Sequence, residues 1–173
     1  MDGVGIERTL ARLAHEIMER HQDLKSLALV GIRRRGEFLA ERLVELIHKH
    51  RNIEVKFGTV DVTFHRDDFR TRLPFPEVGA TQIPFGVDNL HILLVDDVLY
   101  TGRTVRAAMN SLMDFGRPAA IELVVLVDRE GRELPIQADY VGQRFPVSGN
   151  EHIHVHVTEI DGQDEVLLME YSE

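Results

Sequence analysis

His91-Ile92-Leu93-Leu94-Val95-Asp96-Asp97-Val98-Leu99-Tyr100-Thr101-Gly102-Arg103-Thr104 decides the fold. Its apolar run at 92–95 has the length and composition of a buried strand. A turn follows, and Val105, Ala108, Met109, Leu112 and Met113 then keep helical spacing. Gly116 and Pro118 are expected to end that helix together. A buried strand that runs through a short turn into an amphipathic helix is half of a parallel βαβ unit, and the segment 123–127 supplies the next strand.

Asp96 and Asp97 are expected where the strand runs out, and in open α/β sheets that edge is where ligands bind. Two adjacent carboxylates repel, which favours a partner with several hydroxyl donors or a cation. Thr101, Gly102 and Thr104 lead into the helix, and hydroxyls with free amides at a helix N-terminus cradle phosphate. Hydroxyl-binding acids followed directly by a phosphate loop describe a ribose 5-phosphate site. Solvated strand-end acids and a simple helix cap would account for the pieces but not for their order. The chain has no Gly-x-x-x-x-Gly-Lys-Ser/Thr or Gly-x-Gly-x-x-Gly pattern, which disfavours P-loop and dinucleotide proteins.

The same alternation extends outward. Ile6, Leu10, Leu13, Ala14, Ile17 and Met18 mark an amphipathic first helix, residues 27–32 a buried strand, and Phe38, Leu39, Leu43, Leu46 and Ile47 a second helix. Residues 55–64 are rich in strand formers. Periodicity vanishes from His65 to Pro84, where three prolines and five charges between Arg66 and Arg72 read as a long loop, and such loops are usually functional. The tail reads as a hairpin: 153–160, a turn at Asp161-Gly162, then 165–169.

With 173 residues, 43% of them hydrophobic, the chain is long enough for one domain with its own core, expected to span residues 1–173. No apolar run is long enough to span a bilayer, so no membrane partner is expected. Met1-Asp2-Gly3-Val4 lacks the basic start of an export signal, and the expectation is a cytoplasmic protein. Zero Cys excludes disulfides, thiolate zinc sites and a cysteine nucleophile. The formal charge of −9, from 29 acids against 20 Lys and Arg, argues against a general nucleic-acid coat but leaves room for a local basic patch.

The segment from Val95 to Arg106 resembles the phosphoribosyl-pyrophosphate signature of the type I phosphoribosyltransferases. More of the chain is similar to one branch, the PyrR family of pyrimidine-operon regulators that are also uracil phosphoribosyltransferases. Arg12-Leu13-Ala14-His15-Glu16, Leu29-Val30-Gly31-Ile32, Arg66-Asp67-Asp68, Phe115-Gly116-Arg117-Pro118, Leu126-Val127-Asp128-Arg129 and Arg132-Glu133-Leu134-Pro135-Ile136 carry that likeness. The resemblance implies the type I phosphoribosyltransferase fold: an α/β domain with a mainly parallel twisted sheet flanked by helices, a flexible hood loop and a C-terminal β-hairpin. It implies that uracil and phosphoribosyl pyrophosphate give UMP and pyrophosphate, with Mg²⁺ carried on the phosphoribosyl pyrophosphate and no metal ligands from the protein's own side chains. It implies a homo-oligomer, a dimer or larger.

By matching positions, Asp96 and Asp97 would hold the ribose hydroxyls, and Val98, Leu99, Tyr100, Thr101, Gly102, Arg103 and Thr104 would line the 5-phosphate site. Arg33, Arg34 and Arg35 fall on the family's pyrophosphate loop, with Arg34 where Thr is frequent; three cations suit a leaving group of high negative charge. Val127, Asp128 and Arg129 would face the pyrimidine, beside a Glu130-Gly131 that replaces the usual Gly-His. Arg66 in the hood would close on pyrophosphate.

Regulatory members bind leader RNA through a basic face, and His15, Arg20 and Arg132 match it. Ala11, Gln137, Gln143 and Gly149 replace hydroxyl-bearing or basic residues there. Each missing phosphate contact weakens binding and flattens its salt dependence. The competing reading is an RNA-binding attenuator that senses UMP with little catalysis. His152, His154 and His156 alternate along the last strand and share one face, which reads as a solvated face rather than a metal site.

Overall fold

The apolar spacing that begins at Ile6 becomes helix α1 (Gly3–Arg20) in the computed structural model, which describes residues 1–62, 80–146 and 151–170. Asp2 caps it by accepting from the Gly5 N–H at 2.8 Å. There follow β1 (Leu27–Ile32), α2 (Arg35–Arg51), β2 (Lys56–Val60), β3 (His91–Leu99), α3 (Arg103–Met113) and β4 (Ala120–Arg129). The described chain continues with β5 (Tyr140–Phe145), β6 (Glu151–His156), the one-turn α4 (Thr158–Asp161) and β7 (Glu165–Glu170).

Five strands pair in parallel in the order β2-β1-β3-β4-β5, and β6 and β7 form a separate antiparallel ribbon. The central strands are apolar on both faces because both faces are covered. Leu27, Leu29, Leu93, Val95, Val124 and Leu126 pack with α1, α2 and the ribbon. Their neighbours Ala28, Val30, Ile92, Leu94, Leu123 and Val125 pack with α3 on the other side.

Two glycines set the approach of α2 to the sheet. A Cβ on Gly31 would lie 2.3 Å from Glu37 Cα, and one on Gly36 would lie 2.4 Å from the Val95 carbonyl oxygen. The first turn of α2 therefore rests directly on the backbone of β1 and β3.

Three expectations change. β3 continues to Leu99, pairing Val98 with Val127, so Asp96 and Asp97 lie within the strand rather than past it. Helix α3 stops at Met113, before Gly116 and Pro118, with Asp114 as its C-cap. The ribbon's connection is not a tight turn at Asp161-Gly162: residues 158–161 form α4, which Gly162 ends at φ 80°. Local bonds close this turn, from the Val157 N–H to Asp161 and from the Thr158 N–H to Asp164, and long-range ion pairs hold the same acids from α2. Arg35 grips Asp161 with two hydrogen bonds, at 3.1 and 2.9 Å. Arg42 donates to both Glu159 and Asp164, at 2.7–3.0 Å. These bonds hold the Asp164 carboxyl down at about 2, and the Arg42 guanidinium above its ordinary value. β5 was not expected, since Tyr140-Val141-Gly142-Gln143-Arg144-Phe145 has no continuous apolar run. As an edge strand it needs no burial on both faces. Residues 63–79, which hold most of the expected hood with Arg66, Asp67 and Asp68, lie outside the described residues, while Gln82 near its end bridges to Thr59 with both backbone bonds at 2.8 Å.

Candidate active site

The sheet changes its direction of spread between β1 and β3: β2 lies beyond β1 on one side, and β4 beyond β3 on the other. At such a switch point the connections leave in opposite directions and open a crevice at the carboxyl edge. The sequence candidates on β1, β3, β4 and their following loops converge on that edge.

Asp96 and Asp97 are both buried, at 3% and 8% exposure. The Asp97 N–H donates to Asp96 Oδ1 at 3.0 Å, which fixes that carboxylate against its own backbone. Both buried carboxylates stand at the carboxyl edge of the sheet, where open α/β sheets bind ligands. Both offer hard oxygen ligands, the type Mg²⁺ takes together with phosphate oxygens.

After β3 the chain turns through Tyr100, Thr101 and Gly102. Gly102 adopts φ 91° as the N-cap of α3, a conformation that other residues reach only with strain. Thr101 is buried; its Oγ1 accepts from the Arg103 N–H at 3.2 Å, and its carbonyl accepts from the N–H groups of Glu133 (3.0 Å) and Leu134 (3.1 Å). The loop is thus pinned from behind while the first amides of α3 face outward from the helix end. Arg103 turns its guanidinium to Glu133, 2.7 Å from Nε, so this residue offers the crevice its backbone rather than its charge.

The three consecutive arginines divide their roles. The Arg33–Arg34 peptide is cis, the Arg33 N–H donates to the Val60 carbonyl, and Arg33 Nε lies 3.1 Å from Glu37 Oε2. Burial raises the Glu37 carboxyl, and the Arg33 charge works against that rise. Arg34 is exposed at the start of α2. Arg35, expected beside the leaving group, is instead committed to Asp161: its two-pronged ion pair directs it to α4.

At the end of β4, Val127 is fully buried, and the Arg129 guanidinium lies over the Tyr100 ring at 3.8 Å from its centroid. Arg129 Nε is buried without a hydrogen-bond partner. Gly131, at φ 115°, sits where a Cβ would lie 2.3 Å from that same ring. Glycine here is therefore a packing requirement of Tyr100.

Arg132, expected on an RNA face, points inward. It bonds the Asp128 carboxylate and the carbonyls of Leu99, Tyr100 and Arg129, bracing the turn after β3 against the end of β4. Arg20 lies 3.7 Å from Glu122 and 3.8 Å from Asp139. His15 is exposed on α1 and stacks edge-on against His50. On β6, His156 bonds Glu165 at 2.9 Å. The Tyr100–Arg129 stack and the Arg132 brace had no signal in the sequence beyond the adjacency of their segments to the quoted stretch.

Residues 2–159 match the phosphoribosyl transferase domain family, and the chain belongs to it. The hypoxanthine phosphoribosyltransferase of Trypanosoma cruzi, solved with its product IMP, shares the fold with a TM-score of 0.73 and 18% identity, over 98% of this chain and 88% of that one. Within the family the chain is a PyrR protein by descent. The bifunctional protein PyrR of Listeria monocytogenes serotype 4b is 50% identical over 178 residues, covering 100% of this chain and 96% of that protein. Its counterpart in Pelotomaculum thermopropionicum is 50% identical over 173 residues, with the same coverage.

Proposed function

We propose that this chain transfers the phosphoribosyl group of phosphoribosyl pyrophosphate to uracil, releasing UMP and pyrophosphate. The observation that carries the reading is the buried Asp96-Asp97 pair followed at once by the Gly102 turn into α3, at the sheet's switch point. Asp96 and Asp97 accept from the ribose hydroxyls and hold the sugar. The amides of Gly102, Arg103 and Thr104, with the Thr101 and Thr104 hydroxyls, hold the 5-phosphate. Arg33 and Arg34 border the departing pyrophosphate, and Val127, Asp128 and Arg129 the pyrimidine. Mg²⁺ carried on the phosphoribosyl pyrophosphate would supply positive charge to the pyrophosphate, with Asp96 and Asp97 as the hard oxygen ligands nearest to it.

In the step itself the uracil N1–C1′ bond forms as C1′–oxygen cleavage releases pyrophosphate, and N1 gives up its proton. No side chain forms a covalent intermediate; catalysis rests on positioning and on stabilising the leaving group. The whole of residues 1–173 serves this one domain, working in the cytoplasm. Exposed Met113, Phe115, Leu168 and Met169 support self-association into a dimer or larger assembly. No helix among the described residues is long and apolar enough to cross a membrane.

The relatives are called bifunctional, which supports a second role in regulating pyrimidine genes through leader RNA. Of the three residues matched to that face, Arg20 lies beside Glu122 and Asp139, and Arg132 is engaged by Asp128 and backbone carbonyls. The test is product formation from phosphoribosyl pyrophosphate and Mg²⁺ with uracil, hypoxanthine and guanine in parallel. UMP from uracil alone is the expected result. Turnover of a purine instead would overturn the choice of base. No turnover, with UMP still bound, would favour the RNA regulator.

A further inference from the structure

At the opposite end of β3 from Asp96, about 16 Å along the strand, three side chains converge that uracil transfer does not use. His21 is the C-cap of α1, His91 the first residue of β3, and Glu122 lies early in β4. Leu93 pairs with Glu122 in the sheet register, so His91 and Glu122 project from neighbouring strands on the face that α1 covers. One ligand atom from each residue lies within 4.8 Å of the other two.

The pocket is largely closed. The His21 and Glu122 side chains are 11% and 15% exposed. His21 Nε2 lies 3.1 Å from Glu122 Oε2 and 3.1 Å from the Tyr140 hydroxyl. The His91 ring stands 5.7 Å from that of His21, and its Nδ1 is buried with no hydrogen-bond partner. A buried ring nitrogen without a partner is costly, and a cation would satisfy it. Two imidazoles and one carboxylate are a donor set that zinc takes with three protein ligands and an open fourth position.

We propose that His21, His91 and Glu122 form a binding site for a zinc-type divalent cation, separate from the crevice at Asp96 and Asp97. The surroundings already resemble an outer coordination shell. The fully buried Tyr140 hydroxyl donates to Glu122 Oε2 at 3.0 Å, the kind of bond that orients a ligating carboxylate. Arg20, 3.7 Å from Glu122 Oε1, opposes the cation and sets a ceiling on affinity. An ion here would tie the end of α1 to the starts of β3 and β4, and its role is structural.

The test is titration of the full chain with Co²⁺ and then Zn²⁺, in excess Mg²⁺ to occupy the crevice, read by Co²⁺ absorption and by thermal unfolding. The expected result is one tetrahedral Co²⁺ per chain, displaced by Zn²⁺, with Zn²⁺ raising the melting temperature. His91→Ala and Glu122→Gln should each weaken binding at least about tenfold and abolish the thermal shift, and Tyr140→Phe should weaken it about tenfold. Arg20→Ala should tighten it. Doubly substituted His152→Gln/His154→Gln should bind as the parent does. Absence of Zn²⁺ binding in the parent chain overturns the proposal. So does a folded His91→Ala chain that keeps its affinity and its thermal shift, or loss of the site in the His152/His154 variant.

Discussion

Replacing Gly36 by Ala probes the seam that joins the fold to the site. Ala is the better helix former by about 1 kcal/mol, so propensity alone predicts a gain in α2. Contact geometry predicts the reverse. The new Cβ would lie 2.4 Å from the Val95 carbonyl oxygen and 3.1 Å from Asp96 Cα. An ordinary carbon–oxygen contact is about 3.3 Å, so the first turn of α2 must retreat by about 1 Å. Both partners are backbone in the buried stretch of β3, and neither can swing aside.

Overpacking of this kind costs about 1–3 kcal/mol, which outweighs the propensity gain. The retreat also carries Arg33 and Arg34 away from Asp96, and a 1 Å misplacement costs about 100-fold in rate. Urea unfolding and initial rates of UMP formation measure the two losses. Gly86→Ala is the matched control, because a Cβ there meets nothing within 4 Å, and its stability should stay within about 0.5 kcal/mol of the parent. Parental stability and parental kcat/KM in Gly36→Ala would refute the claim that α2 rests on β3 at this point.

Asp97→Asn keeps the shape but removes the charge-assisted bonds proposed to the ribose hydroxyls, and should lower kcat/KM by about 10–100-fold in a uracil assay, with little change in unfolding. The Arg42–Asp164 pair holds the Asp164 carboxyl at about 2, against an ordinary 3.8, so its stabilisation is present above about pH 4 and is lost as pH falls through the folded value. Discounted for partial exposure, it amounts to about 1–2 kcal/mol, and Asp164→Asn should remove it at neutral pH and flatten the acid limb of a stability–pH curve. Arg132→Met leaves Asp128 and several loop carbonyls without their donor; it should cut UMP formation at least about tenfold while leaving the salt dependence of any RNA binding unchanged. An altered salt slope would return Arg132 to an RNA face.

The parallel α/β architecture and the crevice edge were legible in the chain because their causes are local. A strand buried on both faces must be apolar throughout, as residues 27–32 and 92–95 are, and a helix against a sheet must repeat its apolar residues near every fourth position, as α1 does. The order of Asp96, Asp97, Thr101, Gly102 and Thr104 is likewise local, since one strand–turn–helix carries the acids and the glycine turn together.

Only the tertiary structure decided which acids claim which arginines. Arg33 and Arg35 stand two residues apart, yet Arg33 meets Glu37 one turn on, while Arg35 and Arg103 meet Asp161 and Glu133, 126 and 30 residues away. Arg42 meets Glu159 and Asp164 across 117 and 122 residues, and those bonds hold α4 where a tight turn was expected. His21, His91 and Glu122 come from three elements with no shared spacing. A guanidinium or imidazole reaches whatever acceptor the packed elements bring within a few ångströms, and that juxtaposition exists only once the sheet register is set.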